Sequence, residues 1–185
     1  MMFRSSAILD ERCKKILGGT FHSYAHRLLR RYAREIGYAS NFTVMDTADA
    51  ESLIKMVLNE PEFTEKKRLL PKAGTLFAIL SKAANTGRTL EQVLACEYPL
   101  YKKLTAQVGE IALYYSQQKL EKSLMDFDDL LVYLKKLLQE NRQISQQISE
   151  SHHYVMVDEY QDTNKLQAEI VSLLAQGHGK LMVVG

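Results

Sequence analysis

Apolar side chains return every three or four residues along most of the chain, and this spacing predicts amphipathic helices. The first well-marked helix begins near Thr20 or Ser23, either of which can cap it, and it ends at Gly37. Its apolar face is formed by Phe21, Ala25, Leu28, Tyr32 and Ile36. Its polar face is basic and is formed by His22, His26, Arg27, Arg30, Arg31 and Arg34. Upstream, residues 7–15 predict a short helix and residues 16–21 a strand or extended turn.

The middle of the chain, residues 41–125, keeps the helical period but has no motif with recognisable chemistry. Proline or glycine interrupts the pattern near positions 61, 71, 87 and 99. The pattern between these breaks predicts helices over residues 48–59, 73–85, 90–96 and 99–124. We therefore expect a helical subdomain here.

A further helix is predicted from residue 125 onward. Its first turn contains Asp126, Asp128 and Asp129, which suit the positive end of the helix dipole. A metal cluster is the less favoured interpretation, because the spacing and the glycine of a calcium loop are absent. The predicted core stripe is Phe127, Leu130, Leu131, Leu134, Leu137 and Leu138.

The period changes again at residues 154–157, a continuous apolar run typical of a strand buried on both faces. A helix capped by Thr163 or Asn164 follows, and residues 177–179 turn the chain into a second apolar run. A strand, a helix and a strand in this order predict a parallel pair with a right-handed crossover. The predicted fold class is mostly α with a partial parallel α/β sheet.

Two adjacent carboxylates, Asp158 and Glu159, follow the first of these strands. Open parallel sheets bind ligands beyond the carboxyl ends of their strands. Mg²⁺ is held by one or two carboxylates together with substrate phosphates, while a neighbouring acid orients water. A second interpretation is an acidic turn in which Asp162 favours the dipole of the next helix. A third is a Mg²⁺-dependent nuclease or phosphatase, which would need further metal ligands for two-metal catalysis.

The composition narrows the class of protein. The chain has 185 residues, 46% of them hydrophobic, with only 9 Gly and 3 Pro, so it is a packed domain rather than a disordered segment. Its net charge of +2 gives no strong overall field, although residues 1–40 are basic and residues 151–185 acidic. Cys13 and Cys96 have no motif spacing, and no apolar run is long enough to span a membrane. We expect a reduced, cytoplasmic protein without a membrane partner.

Four segments carry a resemblance to a known family. Residues 19–23 read GTFHS, residues 125–130 read MDFDDL, residues 157–164 read VDEYQDTN and residues 181–185 read LMVVG. In this order they resemble the TFHS motif, the (L/M)DFDDL motif, the Walker B motif and the strand opening motif III of the UvrD/Rep/PcrA-type superfamily 1 DNA helicases. The chain is identified on these segments as resembling the N-terminal motor domain of that family.

The resemblance implies an incomplete RecA-like P-loop NTPase domain with a helical insertion. Residues 1–37 would form part of domain 1A, residues 38–124 the helical 1B subdomain, and residues 125–185 the return to domain 1A. The chain contains no GxxxxGK[ST], and residues 177–181 are a turn that lacks the required Ser or Thr. The resemblance therefore implies that the complete protein has a Walker A segment before Met1 and a second RecA-like domain after Gly185. The chain alone is expected to be inactive.

The same resemblance assigns roles around the acidic pair, with ATP and Mg²⁺ as the cofactors. Asp158 would coordinate Mg²⁺ and bind the nucleotide, Glu159 would activate water, and Gln161 would link the nucleotide state to DNA. Tyr160 would face single-stranded DNA, where an aromatic ring can stack on any base. The alternative for Tyr160 is packing beneath the sheet.

Further DNA contacts are implied at the start of the first helix, where Thr20, His22 and Ser23 would face the strand. Free N–H groups at such a junction bind phosphate. His22 and His26 are four residues apart but lack the Glu of HExxH, so zinc is not favoured. The basic face could also line a DNA groove, with Arg30 as its candidate contact, and a solvated basic face is the equally weighted alternative. The arginines of this face are Arg27, Arg30, Arg31 and Arg34.

The function implied by the resemblance is ATP-dependent 3′-to-5′ translocation on single-stranded DNA, with unwinding at junctions of single and double strands, in repair or replication. The alternative function is a non-catalytic helical module that binds a protein or DNA. Sequence flanking residues 1–185 would discriminate the two, because only the helicase requires a Walker A segment.

Overall fold

A computed structural model describes residues 16–64 and 68–185, so the helix predicted over residues 7–15 lies outside the described residues. The described part is mostly helical. Three short 3-10 helices are Ala33–Ile36, Pro99–Leu104 and Tyr160–Asp162. The strands are β1 Thr43–Val44, β2 Leu124–Met125, β3 Val155–Val157 and β4 Leu181–Val183. The α-helices are α1 Phe21–Tyr32, α2 Thr47–Val57, α3 Pro61–Thr64, α4 Ala73–Thr86, α5 Leu90–Glu97, α6 Thr105–Glu121, α7 Phe127–Glu140, α8 Arg142–Glu150 and α9 Lys165–Ala175.

Local sequence signals fix the ends of several helices. Thr20 caps α1, because its hydroxyl accepts the backbone N–H of Ser23 at 3.2 Å. Gly37 ends the following 3-10 turn in the left-handed conformation, with φ of 80°, as predicted. Residues 16–20 have no regular structure, so the extended turn and not the strand is found there. None of the helices in the described ranges combines the length and the apolar character needed to cross a membrane.

Most of the buried apolar residues in the described ranges form two clusters. The first core joins α1, α7, α8 and α9, and the second core joins α2 to α6. The short parallel pair β1–β2 lies where they meet: Met125 belongs to the first core, and its neighbour Leu124 packs against the second. Alternate side chains of a strand point to opposite faces, so two residues can serve two cores. The sequence pattern did not predict this pair of strands.

Two predicted apolar stripes and one predicted helix differ in detail from the structure. In α1 the deepest residues are Ala25 and Leu29, and most of the predicted stripe is only partly buried because α1 presents a neighbouring ridge to α7. The helix predicted over residues 99–124 is divided into a 3-10 turn and α6. In α7 the predicted leucines are buried, but Phe127 is 50% exposed at the first turn, beyond the edge of the core.

Strands β3 and β4 pair in parallel, with Val155 opposite Leu181 and Val157 opposite Val183, as the order of elements predicted. The expectation of burial on both faces is wrong. Val157 is buried, whereas Met156 is 71% exposed. Helix α9 packs on one face of β3, and alternation directs Met156 to the other face, which no described residue covers.

A buried ion cluster joins α6 to the first turn of α7. The Lys119 ammonium lies 2.8 Å from a carboxylate oxygen of Asp126 and 2.6 Å from one of Asp129. The Tyr115 hydroxyl donates to the same Asp126 oxygen at 2.8 Å. Asp126 also caps α7 in a capping box with Asp129, which confirms the capping interpretation of these acids.

Candidate functional site

The GTFHS segment lies at the start of α1. Thr20 and Ser23 are exposed there, and the Ser23 hydroxyl donates to the Thr20 carbonyl at 2.9 Å. His22 is half-buried, and its ring meets the ring of Phe127 edge-on, with centroids 5.8 Å apart. Burial lowers the pKa of His22, and the Asp128 carboxylate opposes that effect. His22 therefore contacts the MDFDDL segment directly.

Arg30 lies about two turns further along α1 than His22 and is held by three interactions. Its Nε donates to Nε2 of His26 at 3.1 Å, and a terminal nitrogen donates to the Ser40 carbonyl at 2.9 Å. The guanidinium carbon lies 4.2 Å from the centre of the Phe42 ring, a cation–π contact. Burial first, and then the positive charge of Arg30, lower the pKa of His26, which suits its role as acceptor. The hydrogen bonds use two of the five donors of the guanidinium.

The acidic segment, residues 158–162, connects β3 to α9. The carboxylate of Asp158 is exposed and accepts the N–H of Glu159 at 3.1 Å. Glu159 adopts the left-handed conformation, with φ of 51°, which is uncommon for a residue other than glycine and recurs at functional sites. The side chain of Gln161 donates to Glu159 at 2.5 Å. Asp158, Glu159 and Gln161 thus lie together, all exposed to solvent.

The carboxyl end of β4 lies beside this segment. The N–H of Val184 donates to the Val157 carbonyl at 2.9 Å, and the N–H of Tyr160 donates to the Val184 carbonyl at 2.8 Å. A Cβ on Gly185 would come within 2.9 Å of the Tyr160 nitrogen, so the two segments approach closely. Tyr160 is 37% exposed, neither free nor fully covered.

A chain of amide hydrogen bonds connects the acidic segment with MDFDDL. Asn164 caps α9 by accepting the N–H of Gln167 at 2.9 Å. Its side-chain amide donates to Oδ1 of Asn85, at the end of α4, at 2.8 Å. The amide of Asn85 in turn donates to the carboxylate of Asp128 at 2.6 Å. Sequence reasoning missed Asn85, because it lies on no apolar stripe and in no motif.

The carboxylate oxygens of Asp158 and Glu159 are suited to a hydrated hard cation such as Mg²⁺. Within the described ranges, no group of three or more His, Cys, Asp and Glu side chains is arranged to hold a metal. Mg²⁺ does not require such a group, since it keeps several waters and takes one or two carboxylates with substrate phosphates. An exposed Asp158 at the end of a parallel strand fits that requirement, with Glu159 close by.

Comparison with known proteins covers the whole chain. The family model of the UvrD/REP helicase N-terminal domain matches residues 1–185. The ATP-dependent DNA helicase PcrA of Staphylococcus epidermidis is 34% identical over 185 residues, which are 100% of this chain and 25% of that protein. The proteins of the same name from Leuconostoc citreum and Bacillus subtilis are 34% and 33% identical and cover 100% and 96% of this chain. The chain spans about a quarter of the length of these relatives. The match along its full length shows that the chain belongs to the UvrD/REP helicase N-terminal domain family.

Proposed function

We propose that this chain supplies the residues for magnesium binding and water activation to an ATP-dependent DNA helicase that moves 3′ to 5′ on single-stranded DNA. One observation carries the proposal. Two adjacent exposed carboxylates, Asp158 and Glu159, follow β3 at the shared carboxyl edge of a parallel strand pair, in a family whose relatives are named ATP-dependent DNA helicases.

The acidic residues have different roles in this proposal. Asp158 holds Mg²⁺, which neutralises charge on the nucleotide phosphates when it is bound. Glu159 orients and deprotonates the attacking water, since a carboxylate within reach of water acts as a general base. Gln161 donates to Glu159 at 2.5 Å, so a movement of Gln161 changes the position of that base. This contact supports the role of Gln161 as the link between nucleotide state and DNA.

The DNA-facing residues are Thr20, His22 and Ser23 at the start of α1, Tyr160 beside the acidic segment, and Arg30. The exposed hydroxyls of Thr20 and Ser23 lie at the start of a helix, where the positive end of the helix dipole favours a phosphate. The exposed part of the Tyr160 ring is suited to stacking on a base. Junctions of single and double strands are the proposed site of unwinding.

The division into parts follows the two cores. We assign residues 1–37 and 125–185 to one RecA-like domain and residues 38–124 to a helical subdomain inserted into it. The α-helical residues of the first core come from α1 and α7 to α9, and those of the second from α2 to α6, which supports this division. Tyr38 and Phe42 also belong to the first core, so that core extends a few residues past position 37. It also explains why the segments with candidate chemistry fall on both sides of a middle region without motifs.

Measurement of the phosphate released by ATP hydrolysis tests the proposal. The 185-residue chain contains no GxxxxGK[ST], so we expect no ATP hydrolysis from it alone. When the chain is joined to such a segment in the complete protein, Glu159→Gln should keep nucleotide binding and reduce turnover at least about a hundredfold, because the general base is lost. Glu140→Gln, an exposed change on α7, is the control. Turnover near the wild-type rate in Glu159→Gln would contradict the assigned role.

A further inference from the structure

Asn85 makes a bridge between parts of the chain that are far apart in sequence. It lies in the last turn of α4, a helix of the second core. Its Nδ2 donates to Asp128 on α7 at 2.6 Å and to the Ser81 carbonyl of its own helix at 3.0 Å, and its Oδ1 accepts the amide of Asn164 at 2.8 Å. The three side chains are half-buried. One residue therefore contacts both the MDFDDL segment and the residue that ends the loop after the acidic segment.

The polarity of this bridge is determined at both ends. Asp128 is a carboxylate and can only accept, so the neighbouring atom of Asn85 must be its NH₂ group. Asn164 uses its oxygen to accept the N–H of Gln167, so its NH₂ group must face Asn85. A carboxamide offers a donor and an acceptor on two different atoms, whereas a carboxylate of the same shape offers only acceptors. Asn85→Asp therefore removes the donations to Asp128 and to the Ser81 carbonyl without changing the shape of the side chain, while its remaining oxygen still accepts from Asn164.

We propose that Asn85 is a positioning residue for the acidic segment, residues 158–162. That segment is held at its start by β3, which pairs with β4, and at its end by the capping residue Asn164. Asn85 fixes Asn164 relative to α7, so it sets the end point of the segment that carries Asp158 to Gln161. It touches no residue of that segment itself and acts through Asn164.

The bridge made by Asn85 also links the two cores. Helix α4 belongs to the second core, whereas α7 and α9 belong to the first. A displacement of α4 relative to these helices pulls on Asn164 and thereby moves Tyr160. This consequence for DNA rests on the proposed function, while the positioning of the segment does not.

Hydrogen exchange of backbone amides, followed by NMR on the 185-residue chain, tests the positioning. The amides of Asp162, Thr163 and Gln167 donate within the segment and its cap. In Asn85→Asp we expect them to exchange about three- to tenfold faster, the effect of losing one hydrogen bond. The control is Thr86→Val, because the hydroxyl of Thr86 bonds the Lys82 carbonyl within the same helix. Unchanged exchange in Asn85→Asp overturns the proposal.

A double variant that swaps the amide of residue 85 and the carboxylate of residue 128 separates positioning from a general loss of stability. Asn85→Asp combined with Asp128→Asn restores a donor facing an acceptor at the contacts with residues 128 and 164, with the polarity of the first one reversed. The donation to the Ser81 carbonyl is absent from both the single and the double variant, so it does not affect the comparison between them. We expect the double variant to recover slow exchange in the segment. If Asn85→Asp does not fold, the double variant and Asn85→Ala carry the comparison. Fast exchange in a folded double variant overturns the bridge.

Binding of a labelled oligothymidylate, measured by fluorescence anisotropy, tests the consequence for DNA. When it is introduced into the wild-type chain, Asn85→Asp should weaken binding about three- to tenfold. When it is introduced into the Tyr160→Ala variant, it should have no further effect, because both changes act through Tyr160. Full additivity of the two changes overturns this route. If the wild-type chain binds no oligonucleotide even at low salt, the DNA part of the proposed function fails, and the exchange experiment still decides the role of Asn85.

Discussion

Lys119 is a buried cation on the apolar stripe of α6, one turn after Tyr115. Burial alone would lower the pKa of Lys119, but the carboxylates of Asp129 and Asp126 outweigh burial and raise it. The ammonium therefore stays charged between two acids at 2.6 and 2.8 Å. This cluster attaches α6 to α7 beside the Met125 strand, so it supports the segment that His22 and Asn85 contact.

Removal of the cation should destabilise the chain strongly. Lys119→Met leaves two carboxylates buried without their counterion, and we expect a loss of about 3–5 kcal/mol in the free energy of unfolding at pH 7. Urea denaturation followed by circular dichroism measures it. Lys136→Met is the matched control, because Lys136 is half exposed and its carboxylate partner Glu140 is 4.0 Å away. A loss below about 1 kcal/mol in Lys119→Met would contradict the burial of this cluster.

Asp129, the second acid of the buried ion cluster, makes the stability of the folded chain depend on pH. Burial raises the pKa of Asp129 to about 6 from an ordinary value of 3.8. The positive charge of Lys119 opposes this rise, and the neighbouring negative charge of Asp126 adds to it. The folded state thus holds this proton more tightly than the unfolded chain does. Its stabilising effect is complete below pH 3.8 and is lost as the pH rises through about 6.

The variant Asp129→Asn imitates the protonated form and isolates this effect from the histidines. The stability of the wild type relative to Asp129→Asn should fall by about 1–3 kcal/mol between pH 4 and pH 7. Denaturation curves of both proteins at a series of pH values measure the difference. A difference that is constant over this range, or that grows in favour of the wild type, would show that Asp129 is ionised throughout.

At the scale of elements, the leucines of α7 form a continuous buried stripe that packs on α1 and α9. Leu134 is 1% exposed and Phe127 50% exposed, although both fit the same helical period. We expect Leu134→Ala to cost about 2–5 kcal/mol and Phe127→Ala about 1 kcal/mol or less. Thermal unfolding of the two variants compares them directly. Equal losses would mean that Phe127 is buried in solution.

Helix ends were predictable because their signals are local. Thr20, Asp126 and Asn164 each accept a backbone N–H three residues ahead, so the cap and its partner stand in one short stretch of sequence. Strand burial was not predictable in the same way. The apolar run at 154–157 looks alike whether one or two layers cover it, and Met156 shows that one face is uncovered by the described residues.

At the scale of the whole molecule, motifs distant in sequence converge only through packing. The sequence predicted the acidic pair at a strand end, and the structure confirms that placement. The contacts of His22 with Phe127 and of Asn85 with both Asp128 and Asn164 connect residues 43 to 105 positions apart. Such pairs have no period and no spacing rule, so only the docking of α1, α4, α7 and α9 reveals them.

The positive charge of α1 should contribute to the binding of single-stranded DNA through Arg30. Arg30 is anchored to His26 and Ser40, and the other three donors of its guanidinium make no hydrogen bond to a described residue. If it contacts a phosphate as proposed, Arg30→Ala should reduce the slope of log affinity against log salt by about 1, because fewer counterions are released. Tyr160→Ala should weaken binding by about 1–3 kcal/mol with the slope unchanged, since stacking releases no counterions.

Fluorescence anisotropy across a salt series distinguishes these two effects, with Lys136→Met as the control for a general loss of positive charge. A fall in affinity for Arg30→Ala without a change of slope would place its role in the Phe42 contact, since that loss does not depend on phosphate. A change of slope in Tyr160→Ala would argue against stacking. Binding that depends strongly on base sequence would contradict the proposal that backbone charge and stacking recognise the strand.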